Sequence, residues 1–223
     1  MARVSVLQLD TRFCRVPGDI GSAETFVEEP QIIRVPRASV NNIVTDQPHL
    51  IDLKPFLNAL EGATGDIIVT SCGFLAPFQK QLQQATTKPV IASVLNALSD
   101  FDIKLGAEFS SILTFDADRL CDVHFPPPYR ASDFRIVGLR PENPLRMRIE
   151  GDISGNFDLG DMTANVMDDF TAALTPSTQT VILECTNLPA YKPQMRTITK
   201  VRFVDILAAI ELIAPNTIAP CFL

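Results

Sequence analysis

Apolar and β-branched residues gather into short runs along the chain, at residues 4–9, 67–70, 90–92, 111–115, 135–139, 181–183 and 202–204. Runs this short and this continuous predict strands buried on both faces of a parallel sheet. The segments between them carry a helical period. The clearest is residues 161–174, where Met162, Val166, Phe170 and Leu174 recur every four residues. Asp161 is placed to cap this helix, and Pro176 lies beyond its end. Strand alternating with helix predicts an α/β fold with parallel sheets flanked by helices, here two such sheets with a cleft between them. Two connectors depart from the pattern. Residues 125–129, Phe-Pro-Pro-Pro-Tyr, predict a stiff, extended segment. Residues 141–160, rich in Gly, Pro and Asn, predict a long loop or irregular hairpin, with Arg146 and Arg148 as its solvated charges.

The pattern also repeats. At a constant offset of 113, Ile68 falls on Val181, Val69 on Ile182, Cys72 on Cys185, Leu75 on Leu188, Phe78 on Tyr191 and Ile91 on Val204. Upstream, Ser5-Val-Leu-Gln-Leu-Asp10 matches Ser111-Ile-Leu-Thr-Phe-Asp116 at an offset of 106. Two matches in the same order, one with a cysteine in register, predict an internal duplication and two pseudo-symmetric α/β domains. The division expected is residues 1–98 plus 206–223 for the first domain and 99–205 for the second.

With 223 residues, 46% hydrophobic and 20% charged, the chain can build a sizeable core without staples. Its net charge of −7 and the lack of a Lys/Arg cluster argue against a nucleic-acid surface. No stretch approaches the roughly 18 apolar residues that span a bilayer. The first residues lack the apolar core of a signal peptide, so a cytoplasmic location is the expectation. Five cysteines, an odd number widely spaced, give neither a disulfide framework nor a zinc pattern. Cys14, Cys121 and Cys221 read as buried fillers.

Cys72 and Cys185 differ by position. Each follows a buried strand and precedes a segment that reads as helix after a proline, Pro77 or Pro189. Ligands of open α/β sheets bind beyond the carboxyl ends of the strands. A helix N-terminus there lowers a thiol pKa, so at least one of the two should be an accessible thiolate, alkylated before the other three cysteines. Two cysteines related by duplication suit acid/base work on opposite faces of one substrate. Inverting a carbon that bears an acidic proton needs a base on one face and an acid on the other, and the groups must be alike for the reaction to run both ways.

Thr70-Ser-Cys-Gly-Phe-Leu and Leu183-Glu-Cys-Thr-Asn-Leu-Pro-Ala-Tyr resemble the two cysteine motifs of the aspartate/glutamate/hydantoin racemase superfamily. The opening Leu9-Asp-Thr-Arg-Phe-Cys-Arg-Val-Pro-Gly-Asp-Ile-Gly and the segment Phe203-Val-Asp-Ile-Leu extend the resemblance over nearly the whole chain. It implies two pseudo-symmetric α/β domains, paired cysteines in the cleft between them, and no cofactor or metal. The departures narrow the substrate. Cys72-Gly73-Phe74 stands where amino-acid racemases carry Cys-Asn-Thr, and Cys185-Thr186-Asn187 where glutamate racemases carry Cys-Thr-His, so glutamate is not the expected substrate.

The resemblance therefore implies a cofactor-independent racemase or epimerase of a small carboxylate compound, with Cys72 and Cys185 as its acid/base pair. Backbone N–H groups of Gly73, Phe74, Thr186 and Asn187 are candidates to hold the carboxylate, with Ser71 beside them. Asp10 and Thr11 are candidates for an ammonium or amide group, and Thr114 and Asp116, in the matching segment of the repeat, are weaker ones. The partner is a small carboxylate-bearing substrate, with neither nucleic acid nor membrane, and a homo-oligomer fits as well. The alternatives are an enzyme like maleate isomerase or arylmalonate decarboxylase, and a ligand-binding protein without turnover.

Overall fold

The structure, a computed structural model, describes residues 2–155 and 157–223. Among these residues eight strands form two four-stranded, all-parallel sheets. The first holds β1 (Val4–Gln8), β2 (Gln31–Arg34), β3 (Ile67–Thr70) and β4 (Val90–Ile91), in the order β2-β1-β3-β4. The second holds β5 (Ser110–Thr114), β6 (Arg135–Gly138), β7 (Thr180–Leu183) and β8 (Arg202–Asp205), in the order β6-β5-β7-β8. Their central strands β1, β3, β5 and β7 are buried along their whole length, which is why they read as unbroken apolar runs.

The sheets share one register. Ser5 pairs with Ile68 and Ile68 with Val90 in the first; Ser111 pairs with Val181 and Val181 with Phe203 in the second. Those partners are related by the same offsets, 106 and 113, that the sequence shows.

Among the described residues the α-helices are α1 (Val40–Ile43), α2 (Lys54–Glu61), α3 (Gln79–Gln84), α4 (Pro144–Glu150), α5 (Leu159–Ala172), α6 (Lys192–Ile198) and α7 (Ile206–Ile213), of which α2, α3, α5 and α7 pack on strands. The last of these packs against β4 and the 3-10 turn Val94–Asp100 as well as β8. Behind it, Val27 N–H donates to Thr217 O and Ala219 N–H to Thr25 O, so the carboxyl end closes on the first sheet's side. Among the described residues no helix is long and apolar enough to cross a membrane.

Four details differ from the sequence reading. Strand β2 was not foreseen, because an edge position leaves Gln31-Ile-Ile-Arg34 half exposed and without an apolar run. Residues 141–160 are not all loop: Asn143 accepts a hydrogen bond from Leu145 N–H and starts α4, which buries Leu145, Arg148 and Ile149. Asp158, not Asp161, caps α5, its carboxylate accepting from Gly160 and Asp161 N–H. The 125–129 segment turns rather than extends, with Tyr129 N–H donating to Pro126 O at 3.0 Å.

Candidate active site

In each sheet the strand order reverses between the first and second central strands, and their carboxyl ends open a crevice there. The two crevices meet in one small cavity, with about 30 Å³ of room for the centres of water-sized molecules. Leu9 and Thr11 reach it from the end of β1, Ser71 to Phe74 from β3, Phe115 from β5, and Glu184 to Asn187 from β7. Val40 and Val44 of the α1 segment and Ile149 of α4 wall it with Phe13. Asp152, just beyond α4, accepts hydrogen bonds from the backbone N–H groups of Arg12 and Phe13 (2.8 Å for Phe13), tying the two halves together across the cavity.

Cys72 and Cys185 line this one cavity and are 8% and 7% exposed. Each ends the turn after its strand, and the N–H two residues on, Phe74 or Asn187, points at its sulfur. The motifs also interlock. Thr186 Oγ1 donates to Ser71 O at 2.7 Å, and the Glu184 carboxyl packs on Gly73 so closely that a Cβ there would lie 2.0 Å from Oε1. Glycine at 73, where the racemase motif carries Asn, is what admits this carboxyl. The Cys185 thiol donates to Asn187 Oδ1 at 3.4 Å, and Asn187 Nδ2 donates to Asp19. Asp19 in turn pairs with Arg15 at 2.8 Å, whose Nη2 donates to Thr11 Oγ1 at 3.1 Å.

Of the residues singled out from sequence, Cys72, Cys185, Thr11, Ser71, Gly73, Phe74, Thr186 and Asn187 come together here. Asp10 and Thr114 do not line the cavity. Asp10 accepts from Arg37 N–H at 3.0 Å and so braces the loop after β2. Thr114, fully buried, donates its hydroxyl to Glu184 Oε2 at 2.6 Å and touches the cavity only through that residue. Arg146 and Arg148 are not solvated loop charges: Arg146 pairs with Asp116 at 2.8 Å, and Arg148 is buried, donating to Gly155 O and lying over the Phe157 ring. Cys14 and Cys221 are exposed and Cys121 half-buried, so none of the three is a buried filler.

The thiols also correct the expected electrostatics. Burial pushes Cys72 up to about 12 and Cys185 well above the ordinary thiol value, and the Glu184 charge adds to both; the N–H groups of Phe74 and Asn187 pull the other way with less effect. The segments that follow, Gly73–Phe78 and Leu188–Tyr191, are short 3-10 turns that do not supply a long helix dipole. Both cysteines are therefore protonated in the unliganded protein, and exposed Cys14 and Cys221 should be alkylated ahead of them.

Sequence reasoning missed Glu184 and Arg15, the one carboxyl group and the one cation among the described cavity-lining residues. Arg15 sits in an ordinary polar stretch and carried no signal. Glu184 had one: a carboxylate directly after a fully buried strand and directly before the cysteine. Burial raises its carboxyl to about 7, against which the Thr114 hydrogen bond acts. The folded protein thus binds this proton more tightly than the unfolded chain, so its contribution to stability is present below the unfolded value of 4.5 and fades as pH rises through about 7. The shift corresponds to about 3 kcal/mol. Urea midpoints of wild type and Glu184→Gln should therefore diverge between pH 5 and pH 8, the variant gaining at pH 8. Parallel midpoints would mean that the carboxyl titrates as an exposed one does.

No family model matches the chain. A dimethylsulfoniopropionate lyase of Durusdinium sp. clade D is 23% identical over 94% of this chain and 73% of its own length. The allantoin racemase of Pseudomonas fluorescens superposes with a TM-score of 0.55 at 14% identity, covering 95% of this chain and 88% of that one. The glutamate racemase of Francisella tularensis, solved with D-glutamate, superposes with a TM-score of 0.53 at 17% identity, covering 95% and 78%. The chain shares the two-sheet α/β fold of these racemases.

Proposed function

We propose that a protein with this fold and this cavity is a cofactor-independent racemase or epimerase of a small carboxylate compound, with Cys72 and Cys185 as its acid/base pair. The observation that carries the reading is the placement of both thiols, at equivalent turns of the two sheets, in one cavity. A substrate between them loses its α-proton to one sulfur and regains a proton from the other. Arg15 supplies the positive charge that an acid needs in a buried site, and the N–H groups of Gly73, Phe74, Thr186 and Asn187 supply donors for the negative charge that develops on the carboxylate. Each such donor contributes about 3–4 kcal/mol to transition-state stabilisation. The apolar wall of Phe13, Val40, Val44, Phe115 and Ile149 keeps water from the carbanion.

The test is exchange. Incubating the protein in deuterated water with amino acids, hydantoins, allantoin and related acids, and following the α-proton by NMR, should show exchange accompanied by loss of optical rotation for the true substrate class. Exchange without inversion, across the whole panel, would overturn the two-base reading.

The dimethylsulfoniopropionate lyase relative favours one second reading. A base that removes the α-proton of a propionate carrying a leaving group on its β-carbon completes an elimination instead, giving an unsaturated acid. Only one sulfur is needed as base for that reaction, and dimethylsulfoniopropionate is the probe. Formation of an alkene product from it, with no inversion of any chiral acid, would place the protein among lyases.

A further inference from the structure

Glu184 is 1% exposed, and only half of its carboxyl is accounted for. Oε2 accepts the Thr114 hydroxyl at 2.6 Å, while Oε1 is buried with no hydrogen-bond partner among the described residues. A buried acceptor left unpaired is costly and calls for a reason. Its placement supplies one. The residue's backbone adjoins Cys185, and its free oxygen lies against Gly73, next to Cys72. One carboxyl thus reaches both cysteine turns, in the cavity that both thiols line.

We propose that Glu184 is the proton acceptor that arms the cysteines, its carboxylate taking the proton of the Cys72 or Cys185 thiol. The S–H bond breaks with its electron pair left on sulfur, an O–H bond forms on Glu184 Oε1, and the carboxylate becomes a neutral acid. The cavity carries one negative charge before and after, so no further charge is desolvated. When the working sulfur gives up the proton it took from a substrate, the acid returns its own. A buried thiol raised to about 12 has almost no thiolate at neutral pH, and the Glu184 charge is itself one cause of that rise until the carboxylate takes the proton. The groups around the thiols favour the exchange at Cys72, where the Arg15 charge from the loop after β1 stabilises a thiolate; Asp19 and Tyr191 stand by Cys185, where the Asp19 charge opposes one. The proposal makes Glu184 a positioning residue for the proposed chemistry, and it rests on that reading for its use but not for its test.

The test is the pH profile of alkylation, which needs no substrate. Iodoacetamide labelling of Cys72 and Cys185, resolved by peptide mass spectrometry between pH 5 and 9, should climb about tenfold per unit and then flatten near pH 7 in wild type, where Glu184 has lost its proton. In Glu184→Gln, which keeps an oxygen for Thr114, the climb should continue through pH 9. Thr114→Val removes the hydrogen bond that favours the charged carboxyl, so its plateau should begin at higher pH. Identical profiles in wild type and Glu184→Gln overturn the proposal, and so does failure of both thiols to label in either protein. A plateau in a protein that exchanges no substrate proton would support Glu184's role and reject the racemase reading; inversion of a substrate without the plateau would do the reverse.

Discussion

Cys72→Ser and Cys185→Ser should each lower racemisation by about 10²–10⁴-fold, the usual loss on removing one positioned acid or base. A serine hydroxyl is far less acidic than a thiol and makes a poor base, yet it leaves the opposite cysteine in place. Residual exchange of the α-proton with solvent should then survive for one enantiomer in Cys72→Ser and for its mirror image in Cys185→Ser. Deuterium incorporation into each separate enantiomer measures this directly. A lyase with one working sulfur gives another outcome: one variant dead, and its counterpart still turning over. A ligand-binding protein shows no exchange in any variant. An active enzyme whose two variants lose both enantiomers equally would end the two-base mechanism.

Gly73→Ala should be the most damaging single methyl group in the site. Its Cβ would stand 2.0 Å from Glu184 Oε1, 2.7 Å from the carboxyl carbon and 2.8 Å from the Glu184 carbonyl oxygen. All three separations are far inside van der Waals contact, and the turn that carries Cys72 has no room to retreat because Phe74, Leu75 and Ala76 are buried behind it. Overpacking of this kind costs about 1–3 kcal/mol in stability, and a shift of about 1 Å in Cys72 costs about 10²-fold in rate. Adding Glu184→Gly should recover part of the lost stability by removing the carboxyl, though the 2.8 Å approach to the carbonyl remains. Denaturant midpoints of the two single variants and the double variant form a cycle that isolates the coupling. Simple addition of the two effects would show that the carboxyl and Gly73 do not press on each other.

The sheet architecture and the two cysteine turns were legible because both rest on strong local signals. Buried strands β1, β3, β5 and β7 leave continuous apolar runs, and an offset of 113 brings Cys72 onto Cys185. The edge strand β2 and the short helix α4 left no such mark. One is half exposed, and the other is set by a cap and three buried residues within a Gly- and Pro-rich stretch. Thiol acidity was misjudged for a related reason. The turn pattern predicts N–H groups near sulfur, and they are there, but the depth of burial that outweighs them depends on contacts between the halves. Glu184 belongs to the same class: its neighbours Thr114 and Gly73 lie 70 and 111 positions away in sequence. Asp10 was misplaced because a carboxylate at a strand end braces a neighbouring loop as readily as it meets a ligand.

The return of α7 and the 217–219 segment to the first sheet has a consequence for how the molecule assembles. Strands β5 to β8 come from one uninterrupted stretch of chain and can pair as soon as that stretch has left the ribosome. The first sheet, although made earlier, waits for the cover of its β4 edge until residues 206–219 emerge. Long-range closure of this kind is slow, because the entropy of joining distant segments is spent before their contacts form. Until then the side of β4 and the 94–100 turn that α7 covers lies bare, an apolar face open to association with other unfinished chains.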